Sequence, residues 1–170
     1  ARRRAGDLTS TPRVVVPSRL QAQAWRERLA RSGGALGVRV GTFDDLYIDI
    51  LRTTGIVVTR LADPVQFRLL RSLIDETALT HYAPLRSAPG FVQVLRDLIG
   101  ELKAGGVFPE DLTAAVTEMG SPPRLMELAQ LYTAYQERLQ ARKWADYAGM
   151  GWLSAEALRD RPEATAWAEG

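Results

Sequence analysis

Residues 14–21 read Val-Val-Val-Pro-Ser-Arg-Leu-Gln, and the change of character at Pro17 decides the class of the fold. Arg13 to Val16 is β-branched and bounded by Pro12 and Pro17, which suits a short buried strand. Ser18 is a good helix N-cap, and Gln21 follows at capping-box spacing. The helix this opens is expected to run to Arg31, where Gly33-Gly34 supplies a left-handed stop. A strand that runs straight into a helix is where open α/β sheets bind ligands. The stretch is therefore either an anion or nucleic-acid site or simply a well-capped corner.

The same grammar repeats once. Val38-Arg39-Val40 reads as a second strand, and Thr42 as the next N-cap. Asp44 and Asp45 favour the positive end of that helix. Leu46, Tyr47, Ile50 and Leu51 share one of its faces, and Gly55 ends it. Ile56-Val57-Val58 is a third strand or an extended linker. Strand–helix–strand–helix predicts an α/β layer with parallel strands. Two strands do not make a self-sufficient sheet, so other strands are expected to complete it. The chain begins with Ala rather than Met, which agrees with a piece of a longer protein.

Past residue 60 the pattern is helical. Asp63-Pro64 with Gln66 predicts a capped helix to about Ala78, with Leu69, Leu70, Leu73 and Ile74 inside. Pro89-Gly90 opens a helix whose apolar positions are Phe91, Val94, Leu95, Leu98 and Leu102, and Gly105-Gly106 stops it. A short helix is expected over 109–119. A long one follows over 124–142, with Leu125, Leu128, Tyr132, Tyr135 and Leu139 at helical spacing. Trp152–Leu158 is a last candidate helix. The expected organisation is a disordered lead-in (1–12), an α/β segment (13–60), a helical subdomain (61–158) and a tail (159–170). The whole is predominantly helical.

Composition excludes several chemistries. The chain has 170 residues, 46% of them hydrophobic, enough to bury a core without staples. It has no cysteine and one histidine, His81, which removes disulfides and thiolate metal sites. Lys103 and Lys143 are the only lysines among 22 basic residues. The rest is arginine, which grips phosphate in a planar, bidentate way, although codon composition explains the same bias. No apolar run approaches the roughly 20 residues of a membrane helix, and no apolar segment follows Arg2-Arg3-Arg4 to make a signal peptide. The cytoplasm is the expected location.

No GxxxxGK[ST] loop occurs, nor GxGxxG after a strand. Asp44 and Asp45 read as helix-dipole complement rather than a metal pair. Glu76, Asp97, Glu101 and Glu127 are expected mainly on solvent faces, His81-Tyr82 in a loop, and Tyr132 and Tyr135 in the core. No catalytic residue, metal ligand or bound cofactor is expected in this chain. Two junctions remain: Ser18 with the N–H groups of Arg19 and Leu20, and Thr42-Phe43.

These residues resemble a known family. Val14–Ser18, Trp25-Arg26-Glu27-Arg28-Leu29 and Val38–Leu46 are similar to the N-terminal region of the AddB-type subunit of ATP-dependent helicase–exonucleases. More broadly they resemble superfamily 1 helicases of the UvrD/Rep type. Pro89-Gly90-Phe91, the run 98–112 and Leu131-Tyr132-Thr133-Ala134-Tyr135 with Asp146 extend the likeness over about residues 13–158. The resemblance implies a partial RecA-like sheet at 13–60 and a helical insertion at 61–158. It implies a role in double-strand-break repair and recombination through single-stranded DNA guidance. Pro17, Ser18 and Arg19 fall on its first DNA-contacting segment, and Thr42 and Phe43 on its second. ATP and Mg would belong to the parent complex, along with the remainder of the chain and a helicase–nuclease partner subunit. One departure stands out: helicases of this type commonly carry His or Ser where this chain has Asp44-Asp45, and two carboxylates repel a phosphate track. The competing expectation is a helical protein-interaction module without nucleic acid.

Overall fold

The computed structural model describes residues 12–33 and 37–161. The elements in chain order are β1 (Arg13–Val16), α1 (Arg19–Arg31), β2 (Arg39–Thr42), α2 (Phe43–Thr53), β3 (Thr59–Arg60), α3 (Asp63–Glu76), a 3₁₀ turn (Ala83–Leu85), α4 (Pro89–Ala104), α5 (Pro109–Glu118), α6 (Pro123–Ala141), β4 (Trp144–Ala145) and α7 (Tyr147–Asp160). The chain is predominantly helical, with two small parallel two-stranded sheets among the described residues. It divides into two compact units. One holds the described residues up to Val57 and those from Met150 onward; the other is Val58–Gly149.

In the strand–helix unit β1 and β2 pair in parallel, with Val14 opposite Val40 and Val16 opposite Thr42. Alternation sends Val14, Val16, Val38 and Val40 to one face, where they pack with Ala22 and Leu29 of α1. From the other face Arg13 reaches α2 and pairs with Asp49 at 2.5 Å. Ser154 of α7 and Arg161, just past it, bond α2 and its C-cap: Ser154 Oγ donates to Tyr47 O at 3.4 Å, and the Arg161 guanidinium to Thr54 O at 2.6 Å.

In the helical unit α3 packs on α4 and α6, and α5 on α6. Leu69, Leu70, Leu73 and Ile74 meet Phe91, Val92, Leu95 and Ile99 there, with Leu128, Leu131, Tyr132, Tyr135 and Leu139 of α6, all buried. The two ends of this unit are paired. β3 and β4 run parallel, Thr59 opposite Trp144 and Arg60 opposite Ala145.

Several expectations shift. Of the two readings of Ile56–Val58 the linker holds; the third strand is Thr59–Arg60, and its partner is β4 rather than the first sheet. Asp63 is the first residue of α3, not its cap, and Gln66 bonds Tyr135 Oη at 2.8 Å instead of closing a capping box. The buried stripe of α4 is Phe91, Val92, Leu95, Ile99 and Lys103; Val94 is exposed. The helix is turned because the buried Lys103 has a carboxylate partner inside the unit. Glu127 is buried rather than solvent-facing. The last helix starts at Tyr147, since Asp146 Oδ1 accepts the Gly149 N–H at 2.7 Å and caps it despite two glycines. It includes Arg159 and Asp160, the first residues of the expected tail. The remaining tail, 162–170, and the lead-in, 1–11, lie outside the described residues.

Candidate nucleic-acid interface

The register of the first sheet fixes the site. Because Val16 stands opposite Thr42, both strands end at the same edge, and both helices start there. All five candidate residues, Pro17, Ser18, Arg19, Thr42 and Phe43, therefore lie at one edge of the strand–helix unit. They differ in what is left of them for a ligand.

At the first junction the Ser18 backbone is extended, with φ −138° and ψ 155°. Its hydroxyl accepts from Gln21 N at 3.2 Å and its carbonyl from Ala22 N at 3.0 Å. Pro17, Ser18, Arg19 and Leu20 are exposed. A helix leaves its first N–H groups without intrahelical acceptors, and here those of Arg19 and Leu20 have no protein acceptor among the described residues. No acidic side chain stands in the first turn of α1.

The second junction is closed from inside. Thr42 is only 7% exposed. Asp45 Oδ2 accepts from Thr42 N at 2.8 Å and from Thr42 Oγ1 at 3.0 Å, while Asp45 N donates to Thr42 Oγ1 at 3.4 Å. This is a full capping box. The Thr42 N–H bond, outweighing burial, holds the Asp45 carboxyl below its ordinary value, helped by the Thr42 hydroxyl and the charges of Arg19 and Arg26. Gly41 makes room for this arrangement, because a Cβ there would stand 3.0 Å from Asp45 Oδ2. Thr42 is thus a cap whose hydroxyl is engaged, and the carboxylate flagged from the sequence as repelling phosphate occupies its N–H. Phe43 is the outward member, 43% exposed, its ring 6.4 Å from that of Tyr47.

Arg19 and Arg26 both act on Asp45, but only Arg26 is anchored, donating to Val40 O at 2.6 Å. Arg19 has no ion-pair partner among the described residues. The described part of this unit carries nine arginines against six carboxylates, whereas Val58–Gly149 carries ten basic residues against eleven acidic ones. The mild basicity of the chain is therefore concentrated where the two junctions are. Among the described residues no three metal-ligating side chains cluster, and no helix is long and apolar enough to cross a membrane.

Sequence reasoning missed the polar clusters of the helical unit. Glu127 accepts from the N–H groups of Thr80, His81 and Tyr82 at 2.7, 2.6 and 2.9 Å. Asp146 gathers Lys103, Tyr135 and the Gly149 N–H. The legible signal was Lys103 one turn beyond Ile99 on an apolar stripe. No protein-family model matches the chain, and no curated protein matches it.

Proposed function

We propose that the edge where β1 and β2 end guides single-stranded DNA within a helicase–exonuclease-like protein of double-strand-break repair and recombination. In this reading the β1–β2 layer is part of a RecA-like sheet and Val58–Gly149 is a helical insertion in it. ATP, Mg and the chemistry belong to the parent complex, which acts in the cytoplasm with a helicase–nuclease partner subunit. The chain itself contributes backbone guidance and no catalytic group.

The observation that supports this best is the asymmetry of the edge. The α1 N-terminus presents open N–H groups, an exposed Ser18 and an unanchored Arg19, the donors that hold phosphates at helix starts. Phe43 offers an exposed ring at the same edge, of the kind on which bases stack. Thr42 serves as the positioning cap beneath it.

The test is fluorescence anisotropy with a labelled single-stranded oligonucleotide, using this chain and the full-length gene product. Binding should weaken with salt, and Arg19→Glu should reduce it without changing the melting temperature. Absence of binding by both proteins at low salt would sink the proposal. The second reading, a protein-interaction module, draws on the exposed Val94, Met119 and Met126 of the helical unit. It predicts that Arg19→Glu changes nothing.

A further inference from the structure

The helical unit carries a buried charge that the proposed DNA edge does not use. Lys103, near the end of α4, has a side chain with no exposed surface. Its Nζ donates to Asp146 Oδ1 at 2.8 Å and Oδ2 at 3.0 Å, and to Gln136 Oε1 of α6 at 3.1 Å. Tyr135 Oη donates to Asp146 Oδ2 at 2.9 Å and accepts from Gln66 Nε2 of α3 at 2.8 Å. The Gly149 N–H completes the shell on Asp146 Oδ1. Burial pushes the Lys103 ammonium down from its ordinary value, against the pull of Asp146. An isolated buried ammonium is expensive, and multiple hydrogen bonds to a buried carboxylate are what make such a pair tolerable.

The place of this cluster gives it meaning. Asp146 directly follows β4, the strand on which the chain leaves the unit, and β4 pairs with β3, on which it enters. Thr59 N donates to Lys143 O and Leu61 N to Ala145 O, each at 2.8 Å. Two residue pairs of parallel ladder are too few to hold two chain ends together in water. The carboxylate beside them is bonded to α4 and α6 directly, and to α3 through Tyr135.

We infer that Lys103 and Asp146 form a charge clasp that locks the neck of the helical unit, making Val58–Gly149 a self-contained module whose two ends open only when its core opens. The clasp does not depend on the DNA reading and stands if that reading fails.

Residue-resolved amide hydrogen exchange on the whole chain tests it. In the native protein the neck amides of Thr59, Leu61 and Gly149 should exchange as slowly as the core amides of Tyr132 and Tyr135. The pair Lys103→Met with Asp146→Leu leaves no orphaned charge. It loses the cap on the first turn of α7 and the acceptor of Tyr135 Oη, so far-ultraviolet circular dichroism should stay close to native. The amides of Thr59 and Leu61, whose acceptors Lys143 O and Ala145 O are untouched, should nevertheless exchange roughly tenfold faster or more, because local opening is released from core opening. Gly149 is not read in this variant, since Asp146→Leu removes its acceptor. The Arg39 amide, bonded to Pro12 O in the other unit, should be unchanged. Lys103→Met alone should act in the same direction and more severely, since Asp146 is left buried without its cation. Neck amides that exchange much faster than the α6 core in the native protein would overturn the inference. So would a charge-free pair with Thr59 and Leu61 amides as slow as native, or an Arg39 amide that moves with them.

Discussion

Glu127 holds a loop to a helix with one carboxylate, and its replacement by glutamine is the most informative single change in the helical unit. The side chain is 8% exposed and accepts three consecutive backbone N–H groups, from Thr80, His81 and Tyr82. Its own burial would raise the carboxyl's proton affinity, but the bonds from Tyr82, His81 and Thr80 outweigh it and hold the group below its ordinary value of 4.5. Glutamine keeps one oxygen, which can still serve Thr80 and His81, both bonded to Oε1. It sets an NH₂ against the Tyr82 N–H, which bonds Oε2, so one donor is orphaned and two bonds lose their charge. A hydrogen bond to a charged group contributes about 1.5–3 kcal/mol and a neutral one about 1 kcal/mol. Water reaches the exposed Thr80 and His81 and offsets part of the loss. The expected cost of Glu127→Gln is therefore about 1–2 kcal/mol near neutral pH. The sign of the pH dependence follows from the depressed value. The charged form is favoured in the fold, so its stabilisation is complete above 4.5 and fades as the pH falls through the folded value. Urea unfolding followed by far-ultraviolet circular dichroism, at about pH 7 and about pH 3, should show the gap between the two proteins narrow in acid. A variant as stable as the native protein at neutral pH, or a gap of the same size at both, would refute the reasoning.

Two further changes probe packing. A Cβ at Gly149 would stand 2.9 Å from Asp146 Oδ1 and 3.3 Å from Lys103 Nζ, whereas one at Gly100 meets nothing within 4 Å. Gly149→Ala should thus destabilise by about 1–3 kcal/mol, and Gly100→Ala, inside α4, should stabilise by about 0.5–1 kcal/mol, both read by thermal unfolding. Tyr132→Phe removes the hydroxyl that donates to Val107 O at 2.8 Å and should cost about 1–1.5 kcal/mol, measured by urea unfolding.

The legible parts of the fold were those written in neighbouring residues. Ser18 before Arg19 and Thr42 before Phe43 mark helix starts through bonds three residues long, and both caps form. Leu128, Tyr132, Tyr135 and Leu139 recur at helical spacing and are all buried. What failed depends on partners far along the chain. The strand at Thr59–Arg60 has only two residues and exists because Trp144–Ala145 lies beside it. Local β-branching leaves Ile56–Val58 open as strand or linker, and it is linker. The face of α4 differs from the expected Val94, Leu98 and Leu102 because Lys103 is buried on it, and its partner Asp146 lies 43 residues away. Gln66 reads locally as part of its own helix start, but Tyr135, 69 residues on, takes its amide.

The candidate edge shows the same division. That both junctions exist could be read from Pro17-Ser18 and Gly41-Thr42; that they share an edge required the register of Val16 against Thr42. Their inequality rests on a side chain three residues into α2. Two helices of ordinary length carry similar partial positive charge at their starts, so peptide dipoles alone would make the junctions equivalent. Asp44 and Asp45 offset that charge at α2, and Asp45 also takes the Thr42 N–H and hydroxyl. The first turn of α1 has no acid, and its charged side chain is Arg19. An anion approaching this edge would therefore, under the proposed reading, be drawn to Ser18 and Arg19 rather than to Thr42. Under the proposed reading a strand would be gripped by phosphate at α1, with Phe43 left to meet a base rather than a second phosphate.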